Sequence, residues 1–230
     1  MELTNGEKKL VEELLNSFDR SHDKIELFRS QLFTSIETSE KLAPHIHSLK
    51  SRVKDREHLR KKLIRKIAEC REIGKEFNIT PDNLLLKLND LAGVRILHLY
   101  TRQISKIDEG LKEIFKEQRY GLIEGPIART WDDESRAFFK SCGIKIQKSD
   151  TMYTSVHYVV GSASRSKTTC EIQVRTLMEE VWGEVDHQIN YPVPTSVLAS
   201  REQLKVLARV TSSATRLVDS IFLTHGDATS

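Results

Sequence analysis

The sequence predicts an α+β fold with a central mixed sheet and helical flanks. Three observations carry that prediction. Three-four apolar spacing opens and closes the chain. Short alternating or apolar runs, bounded by turn residues, fill its middle. Helical patterns lie between those runs, so strands and helices share one central unit.

Thr4-x-x-Glu7 has the form of a capping box at the start of a helix. Leu10, Val11, Leu14, Leu15 and Phe18 follow it at helical spacing. A second helical pattern holds Ile25, Phe28, Leu32 and Ile36, and Pro44 marks a break. Residues 56–77 read as a strongly basic amphipathic helix: Leu59, Leu63 and Ile67 recur every four residues beside Lys61, Lys62, Arg65 and Lys66. Thr80-Pro81 reads as an N-cap followed by proline, opening a short helix through Leu84 to Leu88.

The texture then changes. Gly93 to Tyr100 is apolar and strand-like, and Ile104 to Phe115 is helical. Tyr120 to Ala128 reads as a strand interrupted at Gly125-Pro126. Asp132 to Lys140 is a short helix. Gly143 to Gln147, Tyr153 to Val160 and Thr169 to Thr176 read as strands. A helix from Leu177 ends before Pro192 and Pro194. The last helix holds Leu207, Val210, Ala214, Leu217 and Ile221. These divisions give N-terminal helices over 1–50, a core over 51–195 and a C-terminal helix over 196–230, in one folded unit.

Bulk properties narrow the classes. In 230 residues, 38% are hydrophobic, enough for one core, and 30% are charged, which suits exposed helices. The net charge of +3 does not announce a nucleic-acid binder. Cys70, Cys142 and Cys170 lack paired spacing, as expected of thiols in a reducing compartment. No signal pattern opens the chain, and no apolar run approaches the ~20 residues of a membrane span. The expectation is a soluble cytoplasmic protein with no membrane partner.

Three constellations carry chemistry. The first is acidic: Asp90 at the entrance of one strand and Glu171 near the start of another. Two carboxylates on neighbouring strands suit Mg²⁺, a hard cation often held by one or two carboxylates plus substrate phosphates. Spacing alone leaves open that Asp90 ends a helix and that Glu171 pairs with Arg175. The second is basic: Arg52 and Lys54, followed by the Lys61–Lys66 cluster, can neutralise phosphates or form a solvated helix face. The third is Tyr153-Thr154-Ser155-Val156-His157, where Tyr153, Ser155 and His157 share a strand face. An aromatic ring there can stack on a base, or pack in a core. Glu171, Gln173 and Arg175 also share one strand face, with Ile172 and Val174 on the other. No Gly-x-x-x-x-Gly-Lys loop and no Gly-x-Ser-x-Gly elbow occurs, so phosphate binding falls to side chains and metal.

Together these residues resemble the synthetase domain of the RelA/SpoT alarmone synthetases, from about Ser51 to Tyr191. Asp90-Leu91-Ala92-Gly93-Val94-Arg95 and Glu171-Ile172-Gln173-Val174-Arg175-Thr176 carry the likeness, with Tyr153-x-Ser155-x-His157 between them. The resemblance implies a nucleotidyltransferase-like five-stranded mixed sheet flanked by helices, with N- and C-terminal helical extensions. It implies a pyrophosphokinase that moves the β,γ-pyrophosphate of ATP to the 3′-hydroxyl of GDP or GTP, with Mg²⁺. By the same resemblance Arg52, Lys54, Lys62 and Arg95 bind ATP, and Asp90 and Glu171 are catalytic and hold the metal. Tyr153, Ser155, His157, Gln173, Arg175 and His187 face the acceptor.

Where family members read Gly-Tyr-Arg/Gln-Ser, this chain reads Met152-Tyr153-Thr154-Ser155. That departure touches the acceptor side alone. Some small relatives are toxins that pyrophosphorylate the tRNA 3′ end, and others use adenosine nucleotides. A tRNA acceptor would need a basic path, with Lys145, Lys148, Lys205, Arg209 and Arg216 as candidates. A non-catalytic nucleotide- or RNA-binding module is the remaining alternative, and the presence of both Asp90 and Glu171 argues against it. The hydrolase and regulatory domains of long family members find no counterpart, so the expectation is a small stand-alone synthetase. Its terminal helices are candidate contacts of a homo-oligomer.

Overall fold

The structure, a computed structural model, describes residues 3–164, 168–191 and 193–229. Its centre is a six-stranded sheet. The strands are β1 (Ser48–Val53), β2 (Ala92–His98), β3 (Gly121–Thr130), β4 (Lys145–Lys148), β5 (Ser155–Gly161) and β6 (Thr169–Thr176), in the order β1-β2-β6-β5-β3-β4. β2 and β6 run parallel, as do β3 and β4. The β1–β2, β5–β6 and β3–β5 pairs are antiparallel. The expected mixed sheet with helical flanks is present, with one strand more than the five implied. The addition is β1, where Leu49 and Val53 turn to the core while Lys50 and Arg52 take the other face. Six residues with one charged face give too weak an alternation to read as a strand beforehand.

The apolar face of the sheet builds the core. Val94, Ile96, Ile172, Val174, Val156, Tyr158, Val160 and Ala128 are buried there, under α1 (Asn5–Glu37) and α4 (Ile104–Glu117). The helix α1 is continuous, where the sequence reading divided it into two patterns. Val11, Leu14, Leu15, Phe18, Ile25, Phe28, Leu32 and Ile36 form one buried stripe with no helix breaker between them. Its start is the capping box: the Thr4 N–H donates to Glu7 Oε2 at 2.7 Å, and the Glu7 N–H donates to Thr4 Oγ1 at 3.3 Å.

The basic helix α2 (Arg56–Glu72) begins at Asp55, whose carboxylate accepts the N–H groups of Glu57 and His58. It seats Leu59, Leu63 and Ile67 in the core and turns its cations outward. The short α3 (Leu84–Lys87) starts after Asn83, whose Oδ1 takes the Thr80 N–H at 2.9 Å. Thr80 therefore sits in a turn and does not cap the helix.

The strand β3 runs through Gly125-Pro126 with shifts of register instead of stopping there. Gly125 has φ 99°, and a Cβ at that position would lie 2.4 Å from the His157 carbonyl oxygen. Only glycine lets β3 approach β5 at that point.

On the polar face, α6 (Leu177–Asn190) follows β6 directly, and α7 (Leu198–Thr229) packs against α6. Thr176 and Glu179 form the capping box of α6. The Trp182 indole donates to the Leu204 carbonyl at 3.0 Å, and Phe222 stacks on Tyr100. The seat of α7 is Leu204, Ala208, Thr211 and Thr215, all buried, while Val210, Leu217 and Ile221 of the expected apolar stripe face outward. Half of the seat is threonine, so apolar spacing selected the wrong side of this helix. Among the described residues no helix is long and apolar enough to cross a membrane.

α5 (Asp133–Ser141) completes the set, capped by Asp132. Leu14 is fully buried where α1 meets the core. Replacing it with alanine should cost about 2–5 kcal/mol, read as a lower urea midpoint with an unchanged slope.

Candidate active site

Strand register assembles the polar face. Lys50, Arg95, Gln173 and His157 stand in one row across β1, β2, β6 and β5, and Arg52, Gly93, Glu171 and Val159 in the next. Residues opposed across strands point to the same side, so four strands place their charged and amide groups together. Gly93 is paired with Glu171, and Asp90 lies three residues upstream in the turn entering β2. That brings the two carboxylates close enough for Asp90 to oppose ionisation of Glu171.

Two cavities open on this face. The first, of about 500 Å³, is lined by Lys50, Arg52, Arg95, Arg175, His187 and Tyr191 among others. The second, of about 520 Å³, is lined by Lys62, Lys66, Lys87, Arg129 and His157 among others. Asp90, Tyr153, Glu171 and Gln173 belong to both linings and form the shared wall. Each volume falls in the range of small-molecule sites, about 300–1,000 Å³.

Both carboxylates are held in place. Asp90 Oδ2 lies 3.0 Å from Lys54 Nζ, and Oδ1 lies 2.6 Å from Lys62 Nζ. Oδ1 is buried, and its contact with Lys62 is an ion pair without hydrogen-bond alignment. Burial pushes the Asp90 carboxyl up, and the two ammonium groups outweigh it, leaving a net shift below the ordinary value of 3.8. Glu171 Oε1 is 2.9 Å from His157 Nδ1, and Oε2 accepts from Gln173 Nε2 at 3.0 Å. Burial raises this carboxyl too, but His157 and Gln173 bring it below its usual range.

The Glu171 carboxylate orients the imidazole: Nδ1 donates to Glu171, which turns Nε2 to the Tyr153 hydroxyl at 3.1 Å. Burial keeps Tyr153 protonated by pushing its phenol up, against the pull of Arg175. The Arg175 guanidinium lies 5.6 Å from the Tyr153 ring centroid and donates to Gln173 Oε1 at 3.1 Å.

The residues singled out in the sequence fall into distinct places. Arg52 and Arg95 line the first cavity, together with Arg175 and His187. Lys62 and His157 line the second. Lys54 lines neither and instead pairs with Asp90. Ser155 is buried and donates to the Val174 carbonyl at 3.2 Å, away from both cavities. His187 stacks on Tyr191 at 4.6 Å. Lys50, Glu180 and Arg129 also belong to this face and were missed, whereas Glu184 stands out in the sequence with Asp186 and His187 as a polar set on the helix after β6. Lys50 lies in β1, whose alternation is too weak to read, and Glu180 offered no signal among the acids of its helix.

A family model described as a region found in RelA / SpoT proteins matches residues 51–195, well over half of the chain. The chain belongs to the RelA/SpoT family. A search among curated protein sequences gives no match. Among solved structures, the RelA/SpoT fold seen here is similar to small alarmone synthetase 1 from Bacillus subtilis bound to its product pppGpp. That likeness has 18% identity and a TM-score of 0.58, covering 95% of this chain and 98% of that one. The same enzyme bound to AMPCPP matches at 16% identity and 0.58, covering 92% and 98%. A GTP pyrophosphokinase family protein from Streptococcus pneumoniae matches at 20% identity and 0.54, covering 98% and 97%.

The Asp90 pairing makes a pH prediction. A carboxyl depressed on folding adds stability above its unfolded value and loses it as pH falls through the folded value. Stability from Asp90 should therefore fade as pH drops below 3.8. Urea midpoints measured for wild type and Asp90→Asn should converge as pH falls through this window.

Proposed function

We propose that this RelA/SpoT protein is an ATP-dependent pyrophosphokinase making (p)ppGpp from GDP or GTP. The carrying observation is the shared wall: Asp90 and Glu171 stand between two cavities of nucleotide size, each bordered by cations. A group-transfer site for two phosphorylated nucleotides needs that arrangement, because positioning and charge neutralisation supply most of the catalysis. The ligands named for the Bacillus subtilis structures, pppGpp and AMPCPP, support guanosine and adenosine nucleotides as the pair.

In this reading the first cavity takes ATP, with Arg52, Arg95 and Lys50 around its phosphates, and Tyr153 stacks on the acceptor base. Arg175 and His187, which the resemblance placed at the acceptor, line this same cavity, and Arg175 joins the donor cations. Lys62, which the resemblance placed at ATP, lines the second cavity and joins Lys66, Lys87 and Arg129 in neutralising the acceptor phosphates. The acceptor 3′-oxygen attacks the β-phosphorus of ATP as the bond from that phosphorus to the oxygen bridging the α-phosphorus breaks. AMP leaves with that bridging oxygen. Glu171 aligns the 3′-hydroxyl and takes its proton as the new bond forms. Held below the usual carboxylate range, Glu171 orients the hydroxyl and does not deprotonate it in advance.

The donor set also fits a divalent cation. Asp90 keeps a buried oxygen without an aligned hydrogen bond, and Glu171 contributes a second ionised carboxylate beside it. These two residues would hold Mg²⁺, with the remaining positions left to phosphate oxygens and water. When bound, the ion would draw charge from the reacting phosphates. We take residues 51–195 as the unit that carries this chemistry.

A tRNA acceptor receives less support. Of its candidate cations, Arg216 is paired with Asp132 and Glu134, and Lys205 with Glu202.

The test is transfer of label from γ-labelled ATP, with Mg²⁺, to GDP, GTP, ATP or deacylated tRNA offered separately. Label should reach the guanosine nucleotides; label on tRNA alone, or on none of the four, overturns the reading. Glu171→Gln should lower transfer at least about 100-fold while the circular dichroism spectrum stays unchanged. Tyr153→Ala should raise the acceptor KM about 10–100-fold, and Tyr153→Phe far less, if base stacking is its role.

A further inference from the structure

We propose that Glu180 is a positioning residue for the donor phosphates, fixing Lys50, Arg95 and Arg175 toward the first cavity. This rests on the reading that the first cavity takes ATP.

The geometry is a hub. Lys50 Nζ lies 2.9 Å from Glu180 Oε1, and Arg95 Nη1 donates to the same oxygen at 2.8 Å. Arg175 Nε lies 3.1 Å from Oε2 in an ion pair without hydrogen-bond alignment. The three cations come from β1, β2 and β6 and converge on one carboxylate in the first turn of α6. The helix dipole favours an acid at that point. Glu180 is 6% exposed, and the three cations drive its carboxyl below the usual range against the opposing effect of burial.

A stabilising ion pair would balance its charges. Here three cations share one buried anion, and the second carboxylate on the cluster, Glu184, is exposed, so an arriving phosphate can take its place. Glu184 also touches Arg95, at 2.8 Å, but its side chain is 52% exposed and can swing away. Glu180 cannot.

Gly183, one turn after Glu180, completes the seat. A Cβ there would lie 2.5 Å from Arg175 Nη1, so the guanidinium rests against the bare helix. With Gln173 holding Nη2, Arg175 is fixed in orientation. Through Gln173 and the Tyr153 ring it also touches the acceptor side. Donor cations and the Glu171 carboxylate are thereby set by one continuous chain of contacts.

Calorimetric titration of the full chain with AMPCPP and with inorganic tripolyphosphate, in wild type and Glu180→Gln, separates position from charge. The substitution makes the cavity more positive, so field strength alone predicts tighter binding. Positioning predicts binding about tenfold weaker for both probes, with a matching rise in the KM for ATP. Equal or tighter binding by Glu180→Gln overturns the inference. If that variant does not fold, Glu180→Asp keeps the charge and withdraws it by one carbon. Weaker binding is then expected, and unchanged binding overturns the inference. Wild type that binds AMPCPP but transfers nothing defeats the pyrophosphokinase reading and leaves the Glu180 comparison decisive. Wild type that binds neither probe defeats both.

Discussion

The parallel pairing of β2 with β6, in the register that sets Gly93 opposite Glu171, is the constraint on which the site depends. A slip of one residue would turn every side chain of one strand to the opposite face. Val94, Ile96, Ile172 and Val174 would then meet water, and Arg95, Gln173 and Arg175 would enter the core beneath α1. The hydrophobic effect therefore fixes where the charges stand, and the site needs no separate device to align its strands. β1 and β5 extend the same logic sideways: Lys50 and His157 join the row because Leu49, Val156 and Tyr158 are held on the other side.

Beyond the pairing of Asp90, the charges themselves do little for stability. Buried ion pairs recover their desolvation cost only with good geometry and full hydrogen bonding. Here Asp90 Oδ1 and Arg175 Nε lack aligned partners, and three cations share Glu180. Clusters of this kind persist where a ligand completes them. The site is therefore best described as a set of cations parked on resident carboxylates, in orientations that an arriving phosphate chain can use.

Legibility in the sequence followed the strength of local signals. The alternation of β6 and the placement of Asp90 before a strand were readable because strand period and side-chain type agree there. The capping box at Thr4 was readable because two residues specify it. The strand β1 was not, since its outward residues are charged and its inward ones few. The continuity of α1 was hidden by the stretch from Asp19 to Lys24, where every residue is polar and none is buried, so the apolar stripe skips nearly two turns. The seat of α7 was invisible to apolar spacing because Thr211 and Thr215 are buried through hydrogen bonds to backbone carbonyls within their own helix. Glu180 was missed for a different reason: its importance comes from three strands remote in sequence.

The departure at Met152-Tyr153-Thr154-Ser155 gains a physical cause from α7. Thr154 is buried, and its hydroxyl bonds Thr130 Oγ1 at 2.8 Å, so position 154 points away from both cavities. It faces a nearly filled space of about 10 Å³ bounded by Trp131, Glu179, Trp182, Ala208 and Thr211. A long cationic or amide side chain directed there would meet α7 instead of a phosphate. Asp132, next in this wall, accepts from Ser212 and Arg216 of the same helix. The small residue at 154 and the docking of α7 are thus one structural choice: the helix occupies the side of the loop where a longer residue would lie. Tyr153 keeps its place because its anchors, His157 and Arg175, lie on the sheet and are independent of that choice. The acceptor site of this chain then has to draw its cations from α2, α3 and β3, where Lys62, Lys66, Lys87 and Arg129 stand.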